Sequence, residues 1–467
     1  MLSGWGRTRR TRVSLDRPRS RAEVLEALTR RRPGGTIARG AGRSYGDAAQ
    51  NGRGTVLDMS GLRGEPAIDA GAGMIDVDAG STFAQVLAAL AAAGLTLPVV
   101  PGTRHLTVGG AIAADVHGKN HPRDGSFGTN LHGFTLCTPG LGAVEVSRDS
   151  EPELFAATVG GMGLTGVITS ARVRVVPMAS AESIADIDRV GSFEEALALM
   201  SEPTAHSHSI AWLDLLSEGT AFGRAVVTRS SEGPGGAGAP VRRGAGASAA
   251  DAVRRLAGRP AAGTRGAPPF PAHPALAVPR GFPGGVLRPA TVRAFNALHW
   301  RSTPRHERGR TLSMSAQLFP LDVLGDWNRL YGPGGLIQYQ FAVPARAANL
   351  VREIPELIRR RRLPMYLAVL KRFGPHHEGM LSFPGEGWTV AIDIPADTPG
   401  LEQGLREADQ LVASAGGRLY LAKDARMAPE TMAAMYPQLA RFKDVCARID
   451  PDGRLGSDMA RRLELRR

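Results

Sequence analysis

The segment from Pro101 to Phe127, PGTRHLTVGGAIAADVHGKNHPRDGSF, constrains this chain most, because it crowds glycines, histidines and a lysine into a stretch too irregular for a helix. Gly109, Gly110 and Gly118 let a main chain approach a flat or anionic ligand closely. His117, Lys119, Asn120 and His121 supply polar tips suited to a redox ring or a phosphate. The pattern predicts a cofactor site. A glycine-rich connector whose histidines face water has the same composition, so the segment has to be weighed with the rest of the chain.

A chain of 467 residues is long enough for a large core divided among about two to three domains. Apolar residues at 43% and charged residues at 22% are an ordinary globular balance. No apolar run approaches the roughly 20 residues that span a bilayer. The N-terminal MLSGWGRTRRTRVSLDRP is basic but has no apolar core behind its arginines, so no secretory signal is expected and the default compartment is the cytoplasm. The two cysteines, Cys137 and Cys446, lie far apart, which argues against a disulfide scaffold and a cysteine-built metal site. No metal is expected. The formal charge of +13 favours anionic partners such as nucleic acid, anionic lipid or a phosphorylated substrate. Richness in alanine, glycine and arginine is also what a GC-rich genome produces, so the charge carries modest weight. A nucleic-acid-binding role would leave the glycine and histidine clusters without a task. With 5% aromatics the chain is also poor in stacking platforms, and no nucleic-acid partner is expected.

Local signals place elements around the motifs. Ser20 with Glu23 has capping-box spacing and predicts a helix with Val24, Ala27 and Leu28 inward. Thr36 to Arg39 reads as a strand running into the turn Gly40 to Gly46, and Val56 to Met59 as another strand. Ile75, Val77 and Ala79 alternate as in a strand, and Ser81 or Thr82 then caps a helix ended by Gly94. Further strands are expected at Gly133 to Thr138, Ala143 to Ser147 and Val167 to Val176. Ser192 with Glu195 opens a helix in a new register, so a second lobe is expected from near residue 180. Ser230 to Pro289 is crowded with glycine, alanine, proline and arginine and reads as a mobile insertion, with a weak helix at Ala249 to Leu256. Beyond it, a strand is expected over Gly335 to Val343, a helix over Ala345 to Arg361, strands in LPMYLAVLKRFG and GWTVAIDIP, and a helix over Glu402 to Ala415. This second lobe reads as an antiparallel sheet flanked by helices.

The turn ARGAGRSYGD, with glycines at 40, 42 and 46, lacks the G-x-G-x-x-G spacing of a nicotinamide-binding unit. Its amides, with Arg39 and Arg43, can form a nest for a pyrophosphate, or it is a plain tight turn. Gln338 and Gln340 alternate with Tyr339, so both amides face one side of a strand, where they suit sugar hydroxyls. Gln340 and Trp212 read equally well as satisfied core residues.

Taken together, ARGAGRSYGDAAQN, PGTRHLTVGGAIAADVHGKNH and GGMGLTGVI resemble the FAD domain of the vanillyl-alcohol oxidase-like flavoprotein family. IAWLDLL, FPLDVLGDWNRLYG, LIQYQF, GGRLYLAKDAR and SDMARRLEL are similar to its branch that oxidises polyprenylphosphoryl ribose. The likeness covers nearly the whole chain outside the Ser230 to Pro289 insertion. It implies an α+β protein with a PCMH-type FAD-binding domain at residues 1–180 and a substrate-binding domain at 181–417, with the insertion at about 230–289. Residues 418–467 would complete the FAD domain.

By the same resemblance Gly40, Ala41, Gly42, Arg43, Ser44 and Tyr45 cradle the pyrophosphate. Thr103, Gly110, His117, Gly118 and Asn120 line the flavin, Gly163 and Val167 meet the adenine half or ribityl chain, and Tyr420 and Lys423 complete the cofactor contacts. Members that tether FAD through the first turn carry histidine where this chain has Arg43, so FAD is expected to be non-covalent.

The implied reaction is oxidation of the 2-hydroxyl of decaprenylphosphoryl-β-D-ribofuranose to the 2-keto sugar. This is the first half of an epimerisation that supplies the arabinose donor for cell-wall arabinan. Lys423 is expected to be the essential polar contact between flavin and sugar, with its proton affinity lowered by burial and by Arg426. Tyr45, His117 and Lys119 are the other candidates for a proton relay. Trp212, Gln338, Gln340, Lys371 and Ala391 are the implied substrate contacts, with Lys371 suited to the phosphate. Ala391 stands where some members carry a cysteine trapped by activated nitroaromatics, so covalent trapping is not expected; Thr389 replaces an asparagine. A separate NAD-dependent keto-reductase and peripheral contact with an anionic plasma membrane are the implied partners. The alternative enzyme reading is an alditol or aldonolactone oxidase using oxygen.

Overall fold

The computed structural model describes residues 1–233, 270, 274, 276–375 and 377–466. The proposed helix Ala249 to Leu256 and most of the expected insertion lie outside the described residues.

Three sheets set the architecture. Ser14–Asp16, Thr55–Asp58 and Thr36–Arg39 form a small parallel sheet with Thr55–Asp58 in the middle. A five-stranded antiparallel sheet runs in the order Gly142–Ser147, Leu131–Thr138, Val167–Arg174, Met74–Asp78, Ala67–Asp69. An eight-stranded antiparallel sheet has the order His306–Ser313, Glu182–Val190, Ala225–Glu232, His208–Leu213, Ala368–Phe373, Gly387–Pro395, Leu336–Pro344, Arg418–Leu419. Helices segregated from antiparallel sheets make this an α+β fold.

The caps anticipated in the sequence are present. Ser20 Oγ accepts from the Glu23 amide at 3.2 Å ahead of the helix Arg21–Thr29, and this helix buries Val24, Ala27 and Leu28. Thr82 and Gln85 form a reciprocal capping box on Phe83–Ala92. Leu401–Ser414 ends at Gly416, whose φ of +76° suits glycine.

Three expectations need correction. The Pro101 to Phe127 stretch is not wholly irregular: it holds the helices Val108–Ala113, capped by Thr107, and His121–Asp124. The first of these helices needs its glycine at 109, which packs so closely on Ala79 that an added Cβ would sit 3.0 Å from the Ala79 Cβ. The helix expected from Ala345 begins as a 3₁₀ turn, Ala345–Ala347, and becomes α-helical only at Leu350–Arg360. The insertion is not structureless up to Pro289: Leu276–Ala277 pairs in parallel with Leu324–Gly325, and Pro289–Ser302 is a helix.

The C-terminal residues return to both lobes. Leu455 bridges Thr36 in the parallel sheet, whereas Arg418–Leu419 extends the large sheet. One continuous buried cluster runs from Ile37 and Phe83 through Phe341 and Val390 to Phe442 and Leu465. The two lobes therefore share a core.

Candidate active site

The strand Thr36–Arg39 delivers the chain into the turn from Gly40 to Gly46, and that turn is fixed from below. Arg39 donates to the carbonyls of Ser3 and Ala49 at 2.8 and 3.2 Å. Gly42 has a φ of +65°, and a Cβ on Gly46 would lie 1.8 Å from the Asp424 carbonyl oxygen. Trp5 donates its amide to Ser44 O, and the Tyr45 amide donates to Ala422 O. Among the described residues, the backbone amides of Ala41, Gly42, Arg43 and Ser44 have no protein acceptor. Four consecutive free donors beside a cavity form an anion-binding nest. Arg43 adds a cation there, donating to His105 O at 3.0 Å with its guanidinium 4.2 Å from the Trp5 ring centre.

The turn lies on one wall of a cavity of about 700 Å³, within the range of cofactor and small-ligand sites. Gly40 touches the second motif so closely that a Cβ would sit 2.0 Å from Thr107 Oγ1. Gly102 also lines the cavity, and a Cβ there would meet nothing within 4 Å.

The large sheet forms the facing wall. Its register places Val226 opposite Trp212, Trp212 opposite Val369, Val369 opposite Ala391 and Ala391 opposite Gln340. Directly opposed residues in an antiparallel sheet share a face, and this five-residue row lines the cavity from end to end. Gln338 and Lys371, two residues from the row on their strands, line it too.

His117 is buried against Phe373, Tyr420 and Phe383, at ring-centre separations of 4.8, 5.2 and 5.6 Å. The Gln340 amide nitrogen donates to His117 Nε2 at 3.2 Å, which assigns the remaining proton to Nδ1. Nδ1 has no partner among the described residues. Burial pushes the imidazole well below its ordinary pKa, reinforced by Lys371, His121 and Lys423, so it is a neutral donor. Gln340 also donates to Thr389 Oγ1 at 3.3 Å.

Three lysines converge on this space. Lys119 donates to Gln317 O, and burial with Lys371 nearby brings its pKa down to about 7. Burial brings Lys371 to about 8. The Lys423 ammonium lies 3.8 Å from the Tyr45 ring centre. Burial depresses the Lys423 pKa, Lys371 depresses it further, and Asp393 opposes both. Arg426 does not take the part expected of it; it is bound to Asp409 at 2.7 Å.

Asp393 is fully buried, accepting from Gln338 Nε2 at 2.6 Å and from the Tyr331 hydroxyl at 3.2 Å. Burial holds its carboxyl above the ordinary range, while Gln338, Lys423 and Tyr331 pull it down. The Tyr420 hydroxyl donates to Ala114 O at 2.9 Å, and its ring stacks on Phe383. Arg462 clamps the arrangement from behind, reaching Asp47 at 2.7 Å and Asp424 at 2.9 Å.

Gly40, Ala41, Gly42, Arg43, Ser44, Tyr45, Thr103, Gly110, His117, Gly118, Lys119, Gly163, Tyr420 and Lys423 therefore meet at one cavity with Trp212, Gln338, Gln340, Lys371 and Ala391. Two expected residues do not. Asn120 is buried below the wall, spending its amide on Pro98 O and Asp124 Oδ2 at 2.8 and 2.5 Å. Val167 is packed with Leu57 and Cys137 in a separate apolar cluster. Sequence reasoning passed over Asp393, Tyr331 and Arg462, although Asp393 lies on the same strand period as Ala391 and that alternation was a usable signal.

The donor set fits FAD: a nest of amides for the pyrophosphate, glycines open to the cavity, and an orphaned imidazole N–H beside a lysine. Residues 15–147 match the FAD binding domain family, and residues 336–463 match the D-arabinono-1,4-lactone oxidase family. The chain is 39% identical to the decaprenylphosphoryl-β-D-ribose oxidase of Mycolicibacterium smegmatis, over 99% of this chain and 97% of that protein. More distant similarity reaches the alditol oxidase of a Streptomyces species, 26% identical over 38% of this chain and 42% of the relative. Cytokinin dehydrogenase 2 of Oryza sativa is 33% identical over 34% of this chain and 30% of the relative.

Proposed function

Because the chain belongs to the FAD-dependent oxidoreductase family of decaprenylphosphoryl-β-D-ribose oxidase, we propose that it oxidises the 2-hydroxyl of decaprenylphosphoryl-β-D-ribofuranose to the 2-keto sugar. The product feeds the arabinose donor for cell-wall arabinan. The observation that carries this reading is the meeting in one cavity of an amide nest, three half-buried lysines, and the two glutamines of the facing sheet.

When bound, FAD would supply the two-electron oxidant for the hydride lost by the sugar carbon. The turn from Gly40 to Tyr45 would hold its pyrophosphate, and His117 would offer its free Nδ1–H to the cofactor. Gln338 and Gln340 orient sugar hydroxyls from adjacent positions on one strand face. Loss of hydride from carbon requires loss of the hydroxyl proton, and Lys423, with its depressed pKa, accepts it as the neutral amine. Asp393 holds Gln338 and sets the proton affinity of Lys423 from behind the wall. Lys371 and Lys119 give the cavity a cationic excess that suits a phosphodiester-linked sugar better than a free polyol.

FAD is held without a covalent bond in this reading: Arg43 occupies the first turn, and His117 Nε2 is engaged by Gln340. Denaturation should release all yellow colour into the supernatant. A separate NAD-dependent reductase then completes the epimerisation, and the enzyme meets its lipid-borne substrate at an anionic membrane surface. No described helix is long and apolar enough to cross a bilayer.

The match of residues 336–463 to the lactone oxidase family favours one other reading, a free-sugar oxidase that uses oxygen. An anaerobic visible spectrum separates the two. Polyprenylphosphoryl ribose should bleach the flavin band, while simple alditols and aldonolactones leave it intact; bleaching by the polyols alone, with peroxide formed in air, would transfer the assignment.

A further inference from the structure

We propose that the outer face of the helix Pro289–Ser302, with the segment leading into it from Leu276, is the surface that docks on an anionic lipid bilayer, so that the cavity mouth opens toward the lipid. This deepens the reading above and rests on its lipid-tailed substrate.

Between residues 276 and 306 the sequence contains five arginines and no aspartate or glutamate. The same stretch exposes Leu276, Val286, Phe295 and Leu298, the last at 67% of its surface, and Leu321 lies exposed nearby. Exposed Leu15, Leu141 and Leu411 lie elsewhere in the chain. Apolar side chains set among cations, with acids lacking over thirty residues, match the headgroup and acyl layers of an anionic bilayer together. Arg293 is drawn toward Glu218 at 3.4 Å, but Arg280, Arg288, Arg301 and Arg305 also present exposed charge.

The face is continuous with the cavity. His299 and Thr303 line the cavity from this helix end, and Ala277 and Leu321 line it from the neighbouring segments. His299 meets Trp212 edge-on at 4.7 Å, and the exposed Phe295 lies parallel to His299 with ring centres 6.1 Å apart. His299 thus links a ring of the exposed face to the row of residues across the sheet. A polyprenyl tail leaving the cavity here would stay in the membrane while its sugar reaches Gln338 and Gln340.

Co-sedimentation of the holoenzyme with phosphatidylcholine vesicles, with and without phosphatidylglycerol, tests the assignment. The native protein should sediment with the anionic vesicles. Val286→Ser with Leu298→Ser should lower partitioning about tenfold, and Arg280→Glu with Arg301→Glu should remove the dependence on phosphatidylglycerol. Leu15→Ser with Leu411→Ser removes exposed apolar surface elsewhere and should bind as the native protein does. All variants should keep bound flavin and bleach with a detergent-dispersed short-chain polyprenylphosphoryl ribose, which shows that they are folded. Native protein that stays in the supernatant, or face variants that sediment unchanged, would overturn the docking face. A change of oligomeric mass in the Val286/Leu298 variant without vesicle binding would also overturn it, giving the face to a second copy of the chain. Bleaching without vesicle binding leaves the substrate reading intact, and vesicle binding without bleaching rejects that reading alone.

Discussion

Lys423 sits half-buried at the cavity, between a carboxylate that raises its proton affinity and a second lysine that lowers it. Its neutral fraction grows as pH rises through its depressed pKa, so anaerobic flavin bleaching should accelerate with pH across the neutral range. Asp393→Asn removes the anion that opposes deprotonation, and the rising limb should move to lower pH; a limb that stays in place would exclude Asp393 from this role. Lys423→Ala should keep its yellow colour and lose about a hundredfold or more in bleaching rate, measured by stopped-flow absorbance. Gly46→Ala brings a Cβ onto the Asp424 carbonyl, and the shift needed should cost about 1–3 kcal/mol and lower flavin content at purification. The motif letters pointed to Lys423, Tyr45 and His117, and all three line the cavity. Asn120 was misleading because it shares the glycine-rich surroundings of the site, yet its amide is consumed by Pro98 and Asp124. Strand alternation could have flagged Asp393 beside Ala391, but a buried carboxylate on an apolar strand declares its partners only when the neighbouring strand's register is known.

At the scale of elements, helix starts were legible because caps are local: Ser20, Thr82 and Ser192 each bind an amide three residues on. The two short helices inside the Pro101 to Phe127 stretch were not, because they depend on contacts from elsewhere, such as Ala79 beneath Gly109. The helix Asp458–Arg462 at the chain's end shows why element identity alone says little. Its Arg462 joins the first glycine turn to the segment bearing Lys423, through Asp47 and Asp424, both nearly buried. Arg462→Met should leave two uncompensated carboxylates and destabilise the fold by about 3–5 kcal/mol, read by urea denaturation. Arg462→Lys should recover only part of this, since an ammonium lacks the planar fork that meets both acids.

Across the whole molecule the core is continuous between lobes, so the protein should unfold in one transition, with flavin release and loss of circular dichroism at the same temperature. Free FAD at a hundredfold excess over its dissociation constant should add about 2.7 kcal/mol of stability; two separated transitions would show that the lobes fold independently. The sequence by itself determined where strands, caps and glycine turns lie and which family's motifs they spell, because those signals act over a few residues. Tertiary structure alone decided which residues share the cavity. The row from Val226 to Gln340 is assembled from five strands spread between residues 208 and 395, and only their hydrogen-bonded register places them side by side.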